Sequence, residues 1–478
     1  MPKTFQTMIW YDILLLIAYG GAIISLIAVV LSENRNPVKS LAWVTVLLMV
    51  PVFGVVLYLF FGRSLKNTRM ITRRNRRRLR RHEYFKPVDI NRIPMSTASR
   101  LQIKMAQTLS GAIFYPGNKV EIFTDGRSKF DALLNDLRNA TSYIHLQYYI
   151  FKDDKIGTEV AETLIDKARS GVKVRVIYDH IGSLHTSGKF FKRMKEAGVE
   201  VYPFFRVTFP HFATRVNWRN HRKIVIVDGT IGYIGGMNIA DRYIDGTDYG
   251  IWRDTHLRIT GPAVGALQYA FAVDWSFMGQ PLLEEKSQQL QTGGACTGGI
   301  QLLTSGPTSQ WSNIAMLYHK AIANASKRVF IQTPYFLPTE GLLRALQAVA
   351  LSKVDVRIMI PARSDSAVLT NASFSYVQEC LRAGIKVYLY EAGMLHSKTV
   401  IVDDEFVSVG SSNFDFRSFE HNFESNVFIY SREVNEHMAA IFFEDLKRCT
   451  RISSARWRQR PRWQKTKESI VRLLSPVL

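Results

Sequence analysis

Cysteine is scarce. Cys296, Cys380 and Cys449 are the only three in 478 residues, and no two of them form a CxxC pair. An odd, widely spaced set gives no disulfide framework and no zinc signature, and it fits a reducing compartment. Acid is also in short supply, with 40 Asp and Glu against 62 Lys and Arg and a formal net charge of +22. The length, with 47% hydrophobic and 21% charged residues, excludes disulfide-stapled miniproteins, collagen-like chains and wholesale disorder. Charge of either sign is missing altogether from Ile13 to Leu31, 19 residues, and from Leu41 to Phe61, 21 residues.

Each uncharged run is long enough to cross a hydrocarbon core of ~30 Å as a helix. Nine mostly polar residues, 32–40, lie between them. The predicted arrangement is a transmembrane helical hairpin with spans at about residues 9–31 and 41–61, and Trp10, Tyr11, Trp43 and Tyr58 as interfacial aromatics. A cleaved signal peptide has a shorter apolar stretch and no second span. The excess positive charge is confined to flanks: +10 within 63–86 and +9 within 447–478, leaving +3 for the other 422 residues. Ten Lys and Arg from Arg63 to Arg81 follow the second run, against Arg35 and Lys39 in the turn, which predicts that the large C-terminal part is cytoplasmic. This collar serves as a topology signal, as an attractor of anionic headgroups, or as both.

From residue 111 the chain alternates strand-like and helix-like segments, and its second half repeats its first. Tyr143–Phe151 aligns with Arg328–Phe336, with Gln147 on Gln332, and Val172–Ile177 aligns with Val354–Met359. Ala197–Tyr202 aligns with Ala383–Tyr388, each a Gly-capped helix end leading into a strand. The alternation predicts an α/β fold of two pseudo-twofold-related repeats with mixed β-sheets and flanking helices. The expected organisation is a hairpin at 1–62, a basic juxtamembrane linker at 63–110, repeats at 111–285 and 286–450, and a basic tail at 451–478.

Each repeat closes on the pattern H-x-K-x4-D-x6-G-[GS]-x-N: His221, Lys223, Asp228, Gly235 and Asn238 in the first, His396, Lys398, Asp403, Gly410 and Asn413 in the second. The β-branched run between Lys223 and Asp228 predicts a buried strand, and Asp228-Gly229 a turn into a second one. With Gly229-Thr230 as the loop, His221 lies across from Asn238 and Lys223 across from Gly236; Asp404-Glu405 likewise sets His396 against Asn413. His and Lys two apart on a strand share a face. Asp228 and Asp403 fall at the opposite end of the strand, in a supporting or turn role. An imidazole, an ammonium and a carboxamide make half of a phosphoryl-transfer site, because Lys and Asn bind non-bridging oxygens while His acts as nucleophile or acid/base. Two halves supply the two imidazoles that displacement through a covalent intermediate requires. Two lysines supply the charge of a metal ion, so the reading needs no metal and no cofactor. Capped strand ends explain one His-x-Lys pair but not its duplicate.

The duplicated His-Lys-Asp motif resembles the phospholipase D superfamily. Within it the paired N-terminal runs, Asn36-Pro37 with Lys39-Ser40-Leu41-Ala42-Trp43, and the tail ending Arg472-Leu473-Leu474-Ser475-Pro476 look like the bacterial cardiolipin synthase family. The resemblance implies phosphatidyl transfer from one phosphatidylglycerol to another, giving cardiolipin and glycerol, by two phospholipase D-like repeats. It implies a catalytic set of His221, Lys223, Asp228, His396, Lys398 and Asp403, with His221 the nucleophile and His396 the acid and then the base. Asn238, Asn413 and Ser411 are the implied phosphate-binding groups. An acid following each Asn, Asp254 and Glu424, is implied to accept from an imidazole N–H and so fix its tautomer; a salt-bridged core acid is the alternative for each. The implied partners are phosphatidylglycerol and other anionic phospholipids, with no nucleic acid, at a bacterial inner or plasma membrane. The first repeat departs from the superfamily's Gly-Ser pattern, with Gly236 where the second has Ser411.

Between the aligned Gly and the catalytic His the first repeat carries an extra segment rich in aromatics and Arg: Phe204, Phe205, Arg206, Phe209, Phe212, Arg215, Trp218 and Arg219. It reads as an interfacial element that guides lipid to His221, or as a packed surface loop. The tail, with Trp457, Trp463, Ile470, Val471, Leu473 and Leu474, reads as an amphipathic basic helix or as solvated charge. Rival functions are a phospholipase D-type hydrolase, transfer to another alcohol, a membrane-bound nuclease and a non-enzymatic scaffold.

Overall fold

The computed structural model describes residues 3–32, 37–58, 65–66, 68–81, 89–207, 217–283, 285 and 298–473. The chain divides into two compact units, Met1–Leu65 with Val207–Asn217, and Lys66–Arg206 with Trp218–Leu478. Cys296, Phe209, Phe212, Arg215 and Leu474 lie outside the described residues.

The first unit contains helices Lys3–Ser32, Pro37–Met49 and Pro51–Leu57. Val30, Leu47 and Tyr58 are buried together, and Trp43 meets Tyr58 edge-on at 5.3 Å. Trp10 and Tyr11 are exposed. The second uncharged run is not the continuous helix expected from the sequence. It breaks at Val50 (φ −133°, ψ 68°), because Pro51 disfavours helical dihedrals in the residue before it while fitting the first position of the next helix. Among the described residues, no helix is long and apolar enough to cross a membrane.

The second unit is built on two mixed sheets. One runs Lys119–Phe123, His256–Thr260, Ile231–Gly235, Ile224–Val227, Tyr143–Tyr148, Lys173–Asp179, Glu200–Phe204. The other runs Tyr115–Pro116, Gly299–Ser305, Glu424–Tyr430, Phe406–Gly410, Thr399–Val402, Arg328–Gln332, Asp355–Pro361, Lys386–Tyr390, Cys449–Arg451. The seven strands of the first sheet correspond in order to strands two to eight of the second, so the duplication seen in sequence is a duplication of topology. Ile224–Val227 and Thr399–Val402 are buried throughout, as apolar β-branched strands covered on both faces must be. Amphipathic helices cover the sheets; Lys155–Arg169, for example, starts where the Asp154 carboxylate accepts from Gly157 N and buries Val160, Leu164 and Ile165.

Three elements were not marked by the sequence pattern. Strand Gly299–Ser305, in a stretch with no repeat counterpart visible in sequence, pairs with Glu424–Tyr430 as Lys119–Phe123 pairs with His256–Thr260. Helix Thr97–Ser110, expected in a linker, buries Ile103 and Ala106, and Gln301 Nε2 donates to Ile103 O at 3.2 Å. Strand Cys449–Arg451 carries the second sheet past residue 450.

The tail is docked rather than solvated. Helices Ser454–Arg458 and Arg462–Leu473 pack on helix Ala367–Arg382, with Trp457 buried edge-on to Phe374 at 5.5 Å. Arg472 pairs with Glu379 at 2.5 Å and lies over the Tyr376 ring. The opposite side leaves Trp463, Ile470 and Leu473 exposed.

The hairpin register is one residue away from that expected. Val227 pairs with Ile231 and Val402 with Phe406, so each loop has three residues, 228–230 and 403–405. Asp228 (φ 51°) and Asp403 (φ 48°) occupy the left-handed region inside the loop. Hydrogen bonds hold them there: the Asp228 carboxylate accepts from the amides of Thr141, Ser142 and Tyr143. Asp403 accepts from Ser326, Lys327 and Arg328. Both Asp residues thus tie each hairpin to the start of its neighbouring strand, at the end away from the histidines.

Candidate active site

His221 and His396 sit just ahead of their strands, on extended segments that cross to the opposite repeat. His221 N donates to Phe423 O (2.9 Å) and Phe423 N to Arg219 O (2.8 Å). In the other half, Gly393–Leu395 pairs in parallel with Ile251–Arg253, and His396 N donates to Arg253 O (2.7 Å). The residue after Phe423 is Glu424 and the residue after Arg253 is Asp254. Each histidine therefore meets the acid of the other repeat: His221 Nδ1 lies 3.0 Å from Glu424 Oε1, and His396 Nδ1 lies 2.5 Å from Asp254 Oδ2. Sequence reasoning supplied both acids but not the exchange between repeats, which joins two half-sites into one.

At His221 the neighbours of Nδ1 are acceptors, Glu424 and the carbonyl of Ser411 (3.0 Å), so Nδ1 carries the proton and Nε2 is left with a lone pair. Tyr149 packs edge-on to the ring at 4.9 Å. At His396, Trp252 and Tyr243 form the wall, with ring centroids 5.5 and 6.0 Å away. These three aromatics were not singled out from the sequence, where nothing separates them from core residues. Lys223 Nζ donates to His221 O (2.6 Å) and Lys398 Nζ to His396 O, with Lys398 Nζ also 2.8 Å from His396 Nδ1.

All of these groups are buried, and the electrostatics follow. Burial pushes both histidines below the ordinary imidazole value, His396 the further. Lys398 lowers His221 and Lys223 lowers His396, so each lysine acts across the repeat boundary. Burial also brings Lys223 well down and Lys398 down to about 8. The two acids diverge. Burial raises Asp254 to about 6 despite Lys398. Burial also pushes Glu424 up, but His221, Lys223 and the Ser411 hydroxyl outweigh it and hold Glu424 below the usual range. Glu424 is thus an ionised partner for His221, whereas Asp254 is poised close to protonation.

The remaining predicted residues divide by what they touch. Ser411 Oγ donates to Glu424 Oε2, so it fixes the acid rather than standing free for phosphate. Gly236, its counterpart, leaves room for the other acid: a Cβ there would lie 2.1 Å from Asp254 Oδ1. The departure from the Gly-Ser pattern is thus steric, one half holding its acid with a hydroxyl and the other seating it against bare backbone. Asn238 is largely occupied, with Nδ2 donating to Tyr243 OH (2.6 Å) and Oδ1 accepting from Ile150 N (3.1 Å). Asn413 Oδ1, by contrast, is buried without a partner among the described residues.

A matched pair of buried acids underlies the site. Asp274 accepts from Gln147 (2.6 Å), Asn220 (2.9 Å) and Arg222 (2.5 Å), and Asp445 accepts from Gln332 (2.7 Å) and from Nε and Nη2 of Arg253 (3.0 and 2.8 Å). The alignment of Gln147 with Gln332 was the visible trace of this arrangement. Of the aromatic insert, Phe204, Trp218 and Arg219 are buried; Phe204 packs on Phe423 at 5.2 Å and Arg219 pairs with Asp179 at 3.1 Å. Those residues are packed, not interfacial.

A duplicated α/β sheet with one His-Lys pair per half, each imidazole backed by the other half's acid, defines a two-histidine phosphodiester-processing protein. Residues 133–254 and 318–446 match the family described as cardiolipin synthase, PLD-like domain, and residues 21–63 match the phospholipase D-nuclease N-terminal family. The chain is 41% identical to the major cardiolipin synthase ClsA of Bacillus subtilis (strain 168), over 98% of this chain and 99% of that one. It is 38% identical to the cardiolipin synthase of Geobacillus kaustophilus (strain HTA426), over 95% of this chain and 91% of that one. Its fold is similar to that of phosphatidylserine synthase from Haemophilus influenzae Rd KW20, with a TM-score of 0.60 at 13% identity, covering 79% of this chain and all of that one. The chain belongs to the cardiolipin synthase family of phospholipase D-like proteins.

Proposed function

We infer that the protein is a phosphatidyltransferase that makes cardiolipin and glycerol from two molecules of phosphatidylglycerol. The observation that carries this reading is the crossed pairing of two histidines with two acids in a chain similar to cardiolipin synthases over nearly its whole length. His221 Nε2 attacks the phosphorus of the first phosphatidylglycerol, forming a P–N bond as the P–O bond to glycerol breaks. Protonated His396 gives its proton to the departing glycerol oxygen. A hydroxyl of the second phosphatidylglycerol then loses its proton to His396 and attacks phosphorus, and the P–N bond breaks to release cardiolipin. Lys223 and Lys398 hold the non-bridging oxygens. Asp228 and Asp403 support the hairpins from the far end.

The ionised acid beside His221 supports this order. Glu424 keeps His221 in the Nδ1–H tautomer a nucleophile needs. We further propose that residues 9–31 and 41–61 anchor the protein in a bacterial inner or plasma membrane, with the repeats on the cytoplasmic side. The uncharged runs and the basic collar support this, as does the match of residues 21–63 to an N-terminal family. The test is to supply the purified protein with labelled phosphatidylglycerol alone. Cardiolipin and glycerol in equal amounts are expected; phosphatidic acid as the sole product rejects the reading.

A further inference from the structure

Part of the basic collar belongs to the second unit. Lys66, Arg69 and Arg76 line a cavity of about 760 Å³, walled also by helix Val264–Phe277 and strand Gly299–Ser305. Its fourth cation is Arg222, the residue between His221 and Lys223, and no Asp or Glu is among its described lining residues. Two of the four charges are already answered, Lys66 by Glu420 at 3.3 Å and Arg222 by Asp274 at 2.5 Å. Arg69 and Arg76 are exposed and have no carboxylate partner among the described residues. Hydroxyls such as those of Thr308 and Ser309 complete a lining suited to an anion. Two exposed guanidinium groups border a concave space with no acid among its described lining residues, and the fork of Arg matches phosphate oxygens. The volume is that of an ordinary ligand pocket.

We propose that this cavity is a second, non-catalytic site for the phosphodiester headgroup of an anionic phospholipid, held by Arg69 and Arg76. It rests on the reading of the chain as an enzyme of anionic phospholipids. The occupant lies against Arg222, whose Nε donates to Glu424 O at 3.1 Å, so it adjoins the segment that carries His221 without touching the imidazole face.

The test uses the full chain with His221→Ala, in which turnover cannot confuse binding, and short-chain phosphatidylglycerol as the probe in native mass spectrometry. Arg69→Gln with Arg76→Gln is expected to weaken one bound lipid about 30-fold, from two charges each acting at the scale known for basic residues near anionic headgroups. Unchanged affinity in that double variant overturns the proposal. Without any substitution in the collar, a photoactivatable headgroup probe is expected to label peptides spanning 107–113, and labelling absent there overturns it as well. Displacement of the lipid by inorganic phosphate at millimolar concentration would make the cavity a site for free phosphate and reject the lipid. A protein that binds lipid here but makes no cardiolipin leaves this inference standing, whereas normal cardiolipin synthesis with no binding here removes it alone.

Discussion

Replacing Glu424 by glutamine keeps the shape of the side chain and removes the charge that orients His221. The carboxylate is fully buried, accepts from His221 Nδ1 at 3.0 Å and is itself held by Ser411 Oγ. A hydrogen bond to a charged group contributes about 1.5–3 kcal/mol, which is roughly a 10- to 150-fold loss in kcat/KM. A glutamine NH₂ facing Nδ1 also favours the tautomer with Nε2 protonated, and inversion of a catalytic tautomer has cost on the order of 10⁴ elsewhere. The expected loss is therefore at least about 100-fold, read as the initial rate of cardiolipin release from labelled phosphatidylglycerol in mixed micelles. A second readout separates orientation from simple damage. The carboxylate stabilises the His221 imidazolium, so its removal lowers that pKa further and the acid limb of the kcat/KM profile moves to lower pH. A variant that retains half the wild-type rate, or whose acid limb moves up, contradicts the role of Glu424 in orienting His221.

Three further outcomes follow from the geometry. Asp228→Ala removes the acceptor for three backbone amides far from the histidines, so it should lower unfolding free energy by about 2–3 kcal/mol in denaturant melts while the folded fraction keeps kcat/KM within about threefold. Gly236→Ser places a Cβ against Asp254 and should cut turnover at least about tenfold through His396; a gain of activity from restoring the superfamily serine would contradict the steric account. Because burial holds Lys398 down to about 8, kcat/KM should fall as pH rises through that value, and Lys398→Arg, which stays charged, should abolish this limb at a reduced rate.

The fold was legible where local pattern alone decides it. Runs such as Ile224–Val227 are β-branched, end in Asp-Gly, and become buried strands; the Gly-ended helices preceding Val199 and Ile385 also stand where expected. The two histidines and two lysines were legible because duplication made them improbable as accident. What escaped was set by partners distant in the chain. The one-residue register shift depends on Asp228 being drawn into a left-handed loop by amides 85–87 residues away. The exchange of acids involves contacts 142 and 203 residues apart, and no local signal distinguishes a crossed from an uncrossed pairing. Ser411 looked like a phosphate ligand because its hydroxyl is of the right type; only the position of Glu424 shows that the hydroxyl is already engaged. The tail's charge likewise concealed its docking through Trp457 and Arg472.

In the proposed mechanism His221 carries the phosphatidyl group between the two substrates. Brief incubation with labelled phosphatidylglycerol, an alkaline quench to preserve the P–N bond and peptide mass spectrometry address it directly. The phosphatidyl mass is expected on the peptide containing His221, absent in His221→Ala. The same mass found on the His396 peptide, or persisting in His221→Ala, would contradict the assignment.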